Sequence, residues 1–394
     1  MRINSHSAAV ASLLGLSALA LAAALAWQAP PDSPFEAYAD DRMLPPAQDA
    51  KVALGKALFF NARLSEPDGQ SCSSCHAPGA GFADPDQRIP TSEGVMPRRF
   101  GARNTPTAAY AAFVPPFHFD PNQQKWIGGQ FLDGRALDLV EQAQAPFVNP
   151  IEMHNESKYL VVRDVARQDR LAELFRYVYG PDSLDPEHAD EAYVNIADAI
   201  AAFERSPEVN RFSSRFDAYF RGEGELTSIE LSGLAIFNGR GNCSSCHTME
   251  LQDGAPLPLL TNHTYANIGT PRNPRNPFYF MPPGINPDGE IFIDLGLYNT
   301  VLPLDPAHAD LEAGKFRVPT LRNVELTAPY GHNGVFKTLK EVVHFYNTRD
   351  VASEGWAPPE VAANMDTTNM GNLGLSEAEE RALVAFLKTF TDQP

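Results

Sequence analysis

The chain has 394 residues, with 49 acidic against 31 basic side chains and a formal net charge of −18. That balance argues against nucleic acid, whose phosphates require a basic surface. Hydrophobic residues at 43% and charged residues at 20% exclude a wholly disordered chain. The length leaves room for two or three domains. Its 34 prolines and 27 glycines place much of the chain in loops. An acidic surface suits a basic protein partner or a small neutral substrate.

In chain order, the first feature is an apolar run from Ala8 to Trp27, preceded by a single charge, Arg2. Ala24-Leu25-Ala26 offers small residues for cleavage, so residues 1–26 read as a signal peptide. The run is also long enough for an uncleaved N-terminal anchor. Either way the rest of the chain is expected in the periplasm. A short amphipathic helix, Leu54-Gly55-Lys56-Ala57-Leu58-Phe59, then leads into Cys72-Ser73-Ser74-Cys75-His76. Apolar residues at helical spacing predict helices over Leu137–Ala145, Leu160–Tyr179 and Tyr193–Glu204. The polar, glycine-containing stretch from Arg205 to Glu225 marks a boundary. Beyond it, a capping box from Thr227 to Glu230 opens a second lead-in helix, Ser232-Gly233-Leu234-Ala235-Ile236-Phe237. It runs into Cys243-Ser244-Ser245-Cys246-His247, so the chain is a loose internal duplication. A long proline- and glycine-rich loop covers Asn262–Gly289. Helices follow over Thr338–Thr348 and Ser376–Phe390, the latter with Ser376 as N-cap and Glu379 three residues on. Strand signals are few. The expected fold is mainly α, two cytochrome c-like helical domains with long loops, spanning 40–215 and 216–394.

Each C-x-x-C-H is the attachment pattern of c-type haem, so one covalent haem is expected per domain. Cys72 and Cys75, and Cys243 and Cys246, would take the two vinyl groups. His76 and His247 would reach the two irons. Two disulfides, or a zinc site built from both pairs, would leave the following histidines unexplained. A thioredoxin-like pair normally sits near a βαβ pattern, which is absent here. One haem suffices to carry an electron. Two suggest that one receives electrons while the other does chemistry. Reaction with peroxide needs an open sixth position and a polar group to move the proton.

From about Pro45 to Phe390 the sequence resembles the bacterial di-haem cytochrome c peroxidases and their relative MauG. The resemblance rests on both C-x-x-C-H sites together with Arg103-Asn104-Thr105-Pro106-Thr107, Phe131-Leu132-Asp133-Gly134-Arg135, Glu141-Gln142 and Pro150-Ile151-Glu152-Met153. It continues in Val318-Pro319-Thr320-Leu321-Arg322-Asn323 and Thr327-Ala328-Pro329-Tyr330-Gly331-His332-Asn333-Gly334. It implies a peroxidatic N-terminal haem and an electron-transfer C-terminal haem. It makes Glu152 the acid/base and Gln142 its companion. Ile151, Met153 and Pro146 around Glu152 suggest partial burial and a raised pKa. It also implies a calcium ion held by the Asn104 side chain and the Thr327 and Pro329 carbonyls. The implied partners are hydrogen peroxide and a small cytochrome c or cupredoxin donor. A homodimer is compatible with this reading.

Three departures from the peroxidase pattern stand out. No histidine lies between His76 and His118, where many relatives carry one that blocks the peroxidatic iron. Met96 is the only conventional alternative ligand before Asn104, so the first haem is expected to be five-coordinate, as in MauG. Second, the family position of the other haem's sixth ligand falls on Tyr346, tyrosine in MauG and methionine in peroxidases. Leu339, Val342, Val343 and Tyr346 form one helical stripe, from which His344 points about 160° away. Met281 is the fallback ligand. Third, Leu132 replaces the tryptophan usual between the haems, leaving Phe131 or Trp126 as nearby aromatics. His118, His154, His188, His263 and His308 read as exposed or hydrogen-bonded. The leading reading is a periplasmic di-haem peroxidase using hydrogen peroxide. The alternatives are MauG-like oxidation of a protein side chain and a non-catalytic di-haem electron carrier.

Overall fold

Two glycines fix the helix pairs that frame the molecule. A Cβ on Gly55 would lie 1.8 Å from the Ala199 carbonyl oxygen, and one on Gly233 would lie 2.1 Å from that of Ala382. Only glycine therefore allows the Ala47–Phe59 helix to cross Ala189–Glu204, and Ser228–Asn238 to cross Glu377–Leu387, at such close range. Four residues beyond each glycine, a phenylalanine meets one four residues beyond each alanine. Phe59 and Phe203 lie 5.2 Å apart between centroids, Phe237 and Phe386 5.5 Å. The duplication read from the lead-in motifs is thus repeated in the packing.

The structure is a computed structural model that describes residues 46–393, so the apolar run from Ala8 to Trp27 lies outside the described residues. Among the described residues, no helix is long and apolar enough to cross a membrane. The fold is mainly helical. Its strands form two small antiparallel pairs, His118–Asp120 with Lys125–Ile127, and Tyr265–Ala266 with Phe316–Arg317.

One predicted helix is two. Lys158–Ala166 and Asp169–Tyr179 replace a continuous Leu160–Tyr179. The break is held by Gln168, whose side chain accepts from Asn61 Nδ2 at 3.0 Å and donates to the Asp164 carbonyl at 2.9 Å. A local apolar period cannot show such a long-range bond. The helix expected from Leu137 runs over Leu139–Val148, with Asp138 accepting from the Val140 and Glu141 amides as N-cap. The last helix is α over Glu377–Leu387 and tightens to a 3₁₀ turn over Lys388–Phe390.

The ion pair of Arg322 and Asp217 ties the later loops to the Arg215–Phe220 helix. Both side chains are buried, and two bonds of 3.0 and 2.8 Å join them. The guanidinium also lies 4.4 Å from the Phe212 ring and 4.8 Å from the Tyr110 ring. Planar, doubly bonded and stacked, Arg322 is in the setting where a buried cation is tolerated.

Candidate active site and second cavity

Each C-x-x-C-H lines its own cavity. Cys72–Cys75 form one helical turn, opened by Ser71, whose amide donates to Ser74 Oγ at 3.0 Å. Their cavity measures about 450 Å³. Cys243–Ser245 form a 3₁₀ turn beside a cavity of about 270 Å³. No disulfide joins any of the four cysteines. His76 Nδ1 lies 3.1 Å from the Phe82 carbonyl oxygen and His247 Nδ1 lies 3.0 Å from that of Leu260. Donation from Nδ1 to a carbonyl fixes the tautomer and leaves Nε2 as the free lone pair. Burial pushes both imidazoles down, His247 to about 4, so both are neutral at pH 7. Two thiols and one oriented neutral imidazole per cavity are the donor set a c-type haem requires.

Pro146 shapes the far side of the first cavity. It lies in the last turn of the Leu139–Val148 helix, and its carbonyl accepts from the Asn149 amide at 3.3 Å and the Met153 amide at 3.2 Å. The chain curls back and brings Glu152 to the cavity wall beside Gln142, Pro146 and Met153. Asn149 Nδ2 donates to Glu152 Oε1 at 2.7 Å. Burial raises the Glu152 pKa, against the opposing pull of Arg135 and Asn149. His76 is the sole histidine lining this cavity, and Met96 does not line it. Arg103 is clamped between Asp294, at 2.6 and 2.8 Å, and Asp133, at 2.7 Å, and Asp133 also meets Arg135 at 2.8 Å. Burial pushes the Asp294 carboxyl up, but Arg103 outweighs it and holds the group at about 2.

Glu204 is a cavity residue that the sequence analysis missed. It lines the first cavity, is 6% exposed, and its Oε2 has no hydrogen-bond partner. Burial pushes its carboxyl up to about 8, with Arg205 opposing. The signal was present: Ile196, Ile200 and Glu204 follow at four-residue spacing on the buried face of one helix.

In the second cavity, Tyr346 lines the wall together with Cys243, Cys246 and His247. Burial raises its phenol pKa, and the nearby Cys246 and Cys243 act in the same direction. The fallback Met281 does not line this cavity, because it follows the Pro277–Phe280 turn elsewhere in the loop; Met370 lines it instead. His344 is engaged away from the cavity, 2.9 Å from Glu380 and 3.2 Å from Glu354. His332 lines the cavity, 3.2 Å from Glu360 and stacked 3.9 Å from Phe316. The expectation for His263 fails: it is 3% exposed, lines the cavity, and neither ring nitrogen has a partner. It lies in a polar loop stretch, but the Gly128 amide donates to the His263 carbonyl at 3.0 Å and the Val318 amide to that of Thr264 at 2.8 Å, which fastens the segment inward.

Leu132, Arg317 and the segment Asn104–Thr107 line both cavities and form the wall between them. Phe131 lines only the first cavity, and Trp126 lines neither. Thr327 and Pro329 line the second. Among the described residues, their carbonyls accept no hydrogen bond and neither does Asn104 Oδ1, while Asn104 Nδ2 donates to the Pro90 carbonyl at 3.2 Å.

A helical fold with two such cavities, one of them with the carboxyls of Glu152 and Glu204 in its wall, has the makings of a c-type haem protein. The family model of di-haem cytochrome c peroxidase, CCP_MauG, matches residues 49–225. The methylamine utilization protein MauG of Paracoccus denitrificans is 38% identical over 88% of this chain and 90% of its own length. Cytochrome c551 peroxidase of Nitrosomonas europaea is 30% identical over 86% of this chain and 80% of its own. The crystal structure of the diheme peroxidase BthA from Burkholderia thailandensis matches with a TM-score of 0.76 and 32% identity, over 92% of this chain and 89% of that one. The chain belongs to the di-haem cytochrome c peroxidase and MauG family, and is an oxidoreductase.

Proposed function

We propose that this chain is a periplasmic di-haem peroxidase that reduces hydrogen peroxide with electrons from a small cytochrome c or cupredoxin. In this reading residues 40–215 hold one covalent haem through Cys72, Cys75 and His76. Residues 216–394 hold the other through Cys243, Cys246 and His247. The observation that carries the reading is the asymmetry of the cavities. The first has a half-buried carboxyl and an amide, Glu152 and Gln142, in its wall, while the second has Tyr346 there.

A bound haem supplies an iron that binds peroxide and exchanges electrons with it. The proton is handled by the chain. Glu152 takes it from one peroxide oxygen and delivers it to the other, which leaves as water. The raised pKa makes the carboxylate a better proton acceptor than an ordinary one. Asn149 holds the carboxylate in place, and the Gln142 amide orients the peroxide. The calcium implied by the family fits three uncommitted oxygens, from Asn104, Thr327 and Pro329, which suit a hard cation.

A second reading, MauG-like oxidation of a protein side chain, is favoured by Tyr346 in the second cavity and by the 38% identical relative. Leu132 in the shared wall weighs against it, since an aliphatic side chain cannot be oxidised in passing. The test is the fully oxidised holoprotein. One high-spin and one low-spin haem, with peroxide consumed at the expense of a reduced donor, is the expected result. Two low-spin haems and no consumption would make the chain an electron carrier instead.

A further inference from the structure

The wall between the cavities is backed by a line of aromatic rings that ends at the surface. Tyr265 pairs in strand register with Arg317, which lines both cavities, and its neighbours His263 and Ala266 line the second. The Tyr265 ring itself turns away from the cavity. Its hydroxyl donates to the Gly128 carbonyl at 2.5 Å. Tyr265 meets Phe117 edge to face at 6.1 Å, and Phe117 stacks flat on Trp126 at 4.9 Å and 4°. Trp126 meets Phe119 at 5.3 Å, and Phe119 is 42% exposed. Phe119 and Trp126 face each other across the His118–Asp120 and Lys125–Ile127 strand pair, which keeps them on one face of it.

Resting on the peroxidase reading, we propose that Trp126 is a redox station, oxidised by one electron during turnover with peroxide and connected to the cavity wall through Phe117 and Tyr265. Reduction of one hydrogen peroxide to two waters consumes two electrons and two protons. When no donor supplies them, one electron leaves the Trp126 indole and passes inward through Phe117 and Tyr265. The indole N–H proton goes to solvent, leaving a neutral radical, and the second electron comes from the haem groups. Peroxide is the only oxidant required.

The resting place follows from the surroundings of each ring. Phenylalanine is too hard to oxidise and serves only as a bridge. Tyr265 must lose its proton to hold a radical, yet its hydroxyl faces a backbone carbonyl, which is no base. The nearby Arg317 cation also disfavours positive charge there. Trp126 is only half-buried, so its proton can leave, and the flat stack on Phe117 spreads the charge.

The test mixes oxidised holoenzyme with hydrogen peroxide, without donor, and freezes it for electron paramagnetic resonance. Peptides from the same mixture are mapped by mass spectrometry. The wild type is expected to show an organic radical and to gain oxygen on Trp126. Trp126→Phe, which keeps the stack but removes the indole, is expected to lose the radical with both haem spectra intact. Trp356→Phe, changing the other tryptophan among the described residues, is expected to keep it. A radical that persists in Trp126→Phe, or that vanishes in Trp356→Phe, overturns the inference while the peroxidase reading stands. A wild type that consumes no peroxide overturns both.

Discussion

Replacing Glu204 by glutamine is expected to stabilise the protein at slightly alkaline pH and to change little in acid. Burial pushes this carboxyl from 4.5 up to about 8 in the folded chain. Below pH 4.5 the group is protonated in both the folded and unfolded states and contributes nothing. Between pH 4.5 and about 8 the unfolded chain ionises while the folded chain keeps its proton. Stability therefore falls as pH rises, at ~1.36 kcal/mol per pH unit, to a ceiling of about 5 kcal/mol across the window. Glutamine has the same shape and no proton to lose. At ~2.1 cal/mol/K per residue, roughly 350 ordered residues unfold with an entropy of about 0.7 kcal/mol/K, so the ceiling corresponds to about 7 °C in Tm. Circular dichroism melts of the holoprotein at pH 4.5 and pH 8 read this directly. The two proteins should melt nearly together at the lower pH, with Glu204→Gln ahead at the higher. A Tm difference that is constant across the window would refute the reasoning.

Three further outcomes are expected. Glu152→Gln should slow the reaction with peroxide about 10²–10⁴-fold and leave both haem spectra unchanged. Because burial raises the Glu152 pKa, its base form is lost as pH falls, at a higher pH than for an ordinary carboxylate; this acid limb of the rate profile should be absent in the variant. Tyr346→Phe should change the low-spin ferric signal of the second haem, and adding Met370→Leu should remove one replacement ligand that the cavity wall offers; an unaltered signal in both would place the ligand elsewhere. Converting Cys72 and Cys75, or Cys243 and Cys246, to alanine should each remove one haem that otherwise survives acid-acetone extraction, as pyridine haemochrome spectra would show.

The helices were legible because their apolar residues recur at helical spacing and their caps are local. Thr338 and Ser376 each accept from the amide three residues on. The two cavities were legible because cysteine and histidine types are rare and fixed in spacing. Contacts between segments far apart in sequence were not. The break at Gln168 depends on Asn61, more than a hundred residues away. The burial of His263 depends on backbone bonds from Gly128 and Val318. Met281 and Met370 look alike in the sequence, and only the path of the loops decides which one reaches the second cavity. Glu204 stands between these cases. Its stripe was readable, but an acid at a helix end is more often solvated than buried.

The duplicated parts and the parts proposed to do chemistry are different residues. Gly55 with Ala199, and Gly233 with Ala382, give the same close helix crossing beside each C-x-x-C-H. That shared frame fixes two cysteines and an oriented histidine, and on its own it would yield two equivalent carriers. What breaks the equivalence is what each half adds to its cavity wall. In the first, the chain turns after the helix that ends at Val148, and Glu152 lines the cavity. In the second, an uninterrupted helix over Leu339–Thr348 presents Tyr346 from its buried stripe. A curled segment can hold a carboxyl back from the centre with space between them for a small substrate. In the proposed reading, the difference between a site for peroxide and a site for electrons thus lies in the side chain each half sets in its cavity wall, the Glu152 carboxyl in the first and the Tyr346 phenol in the second.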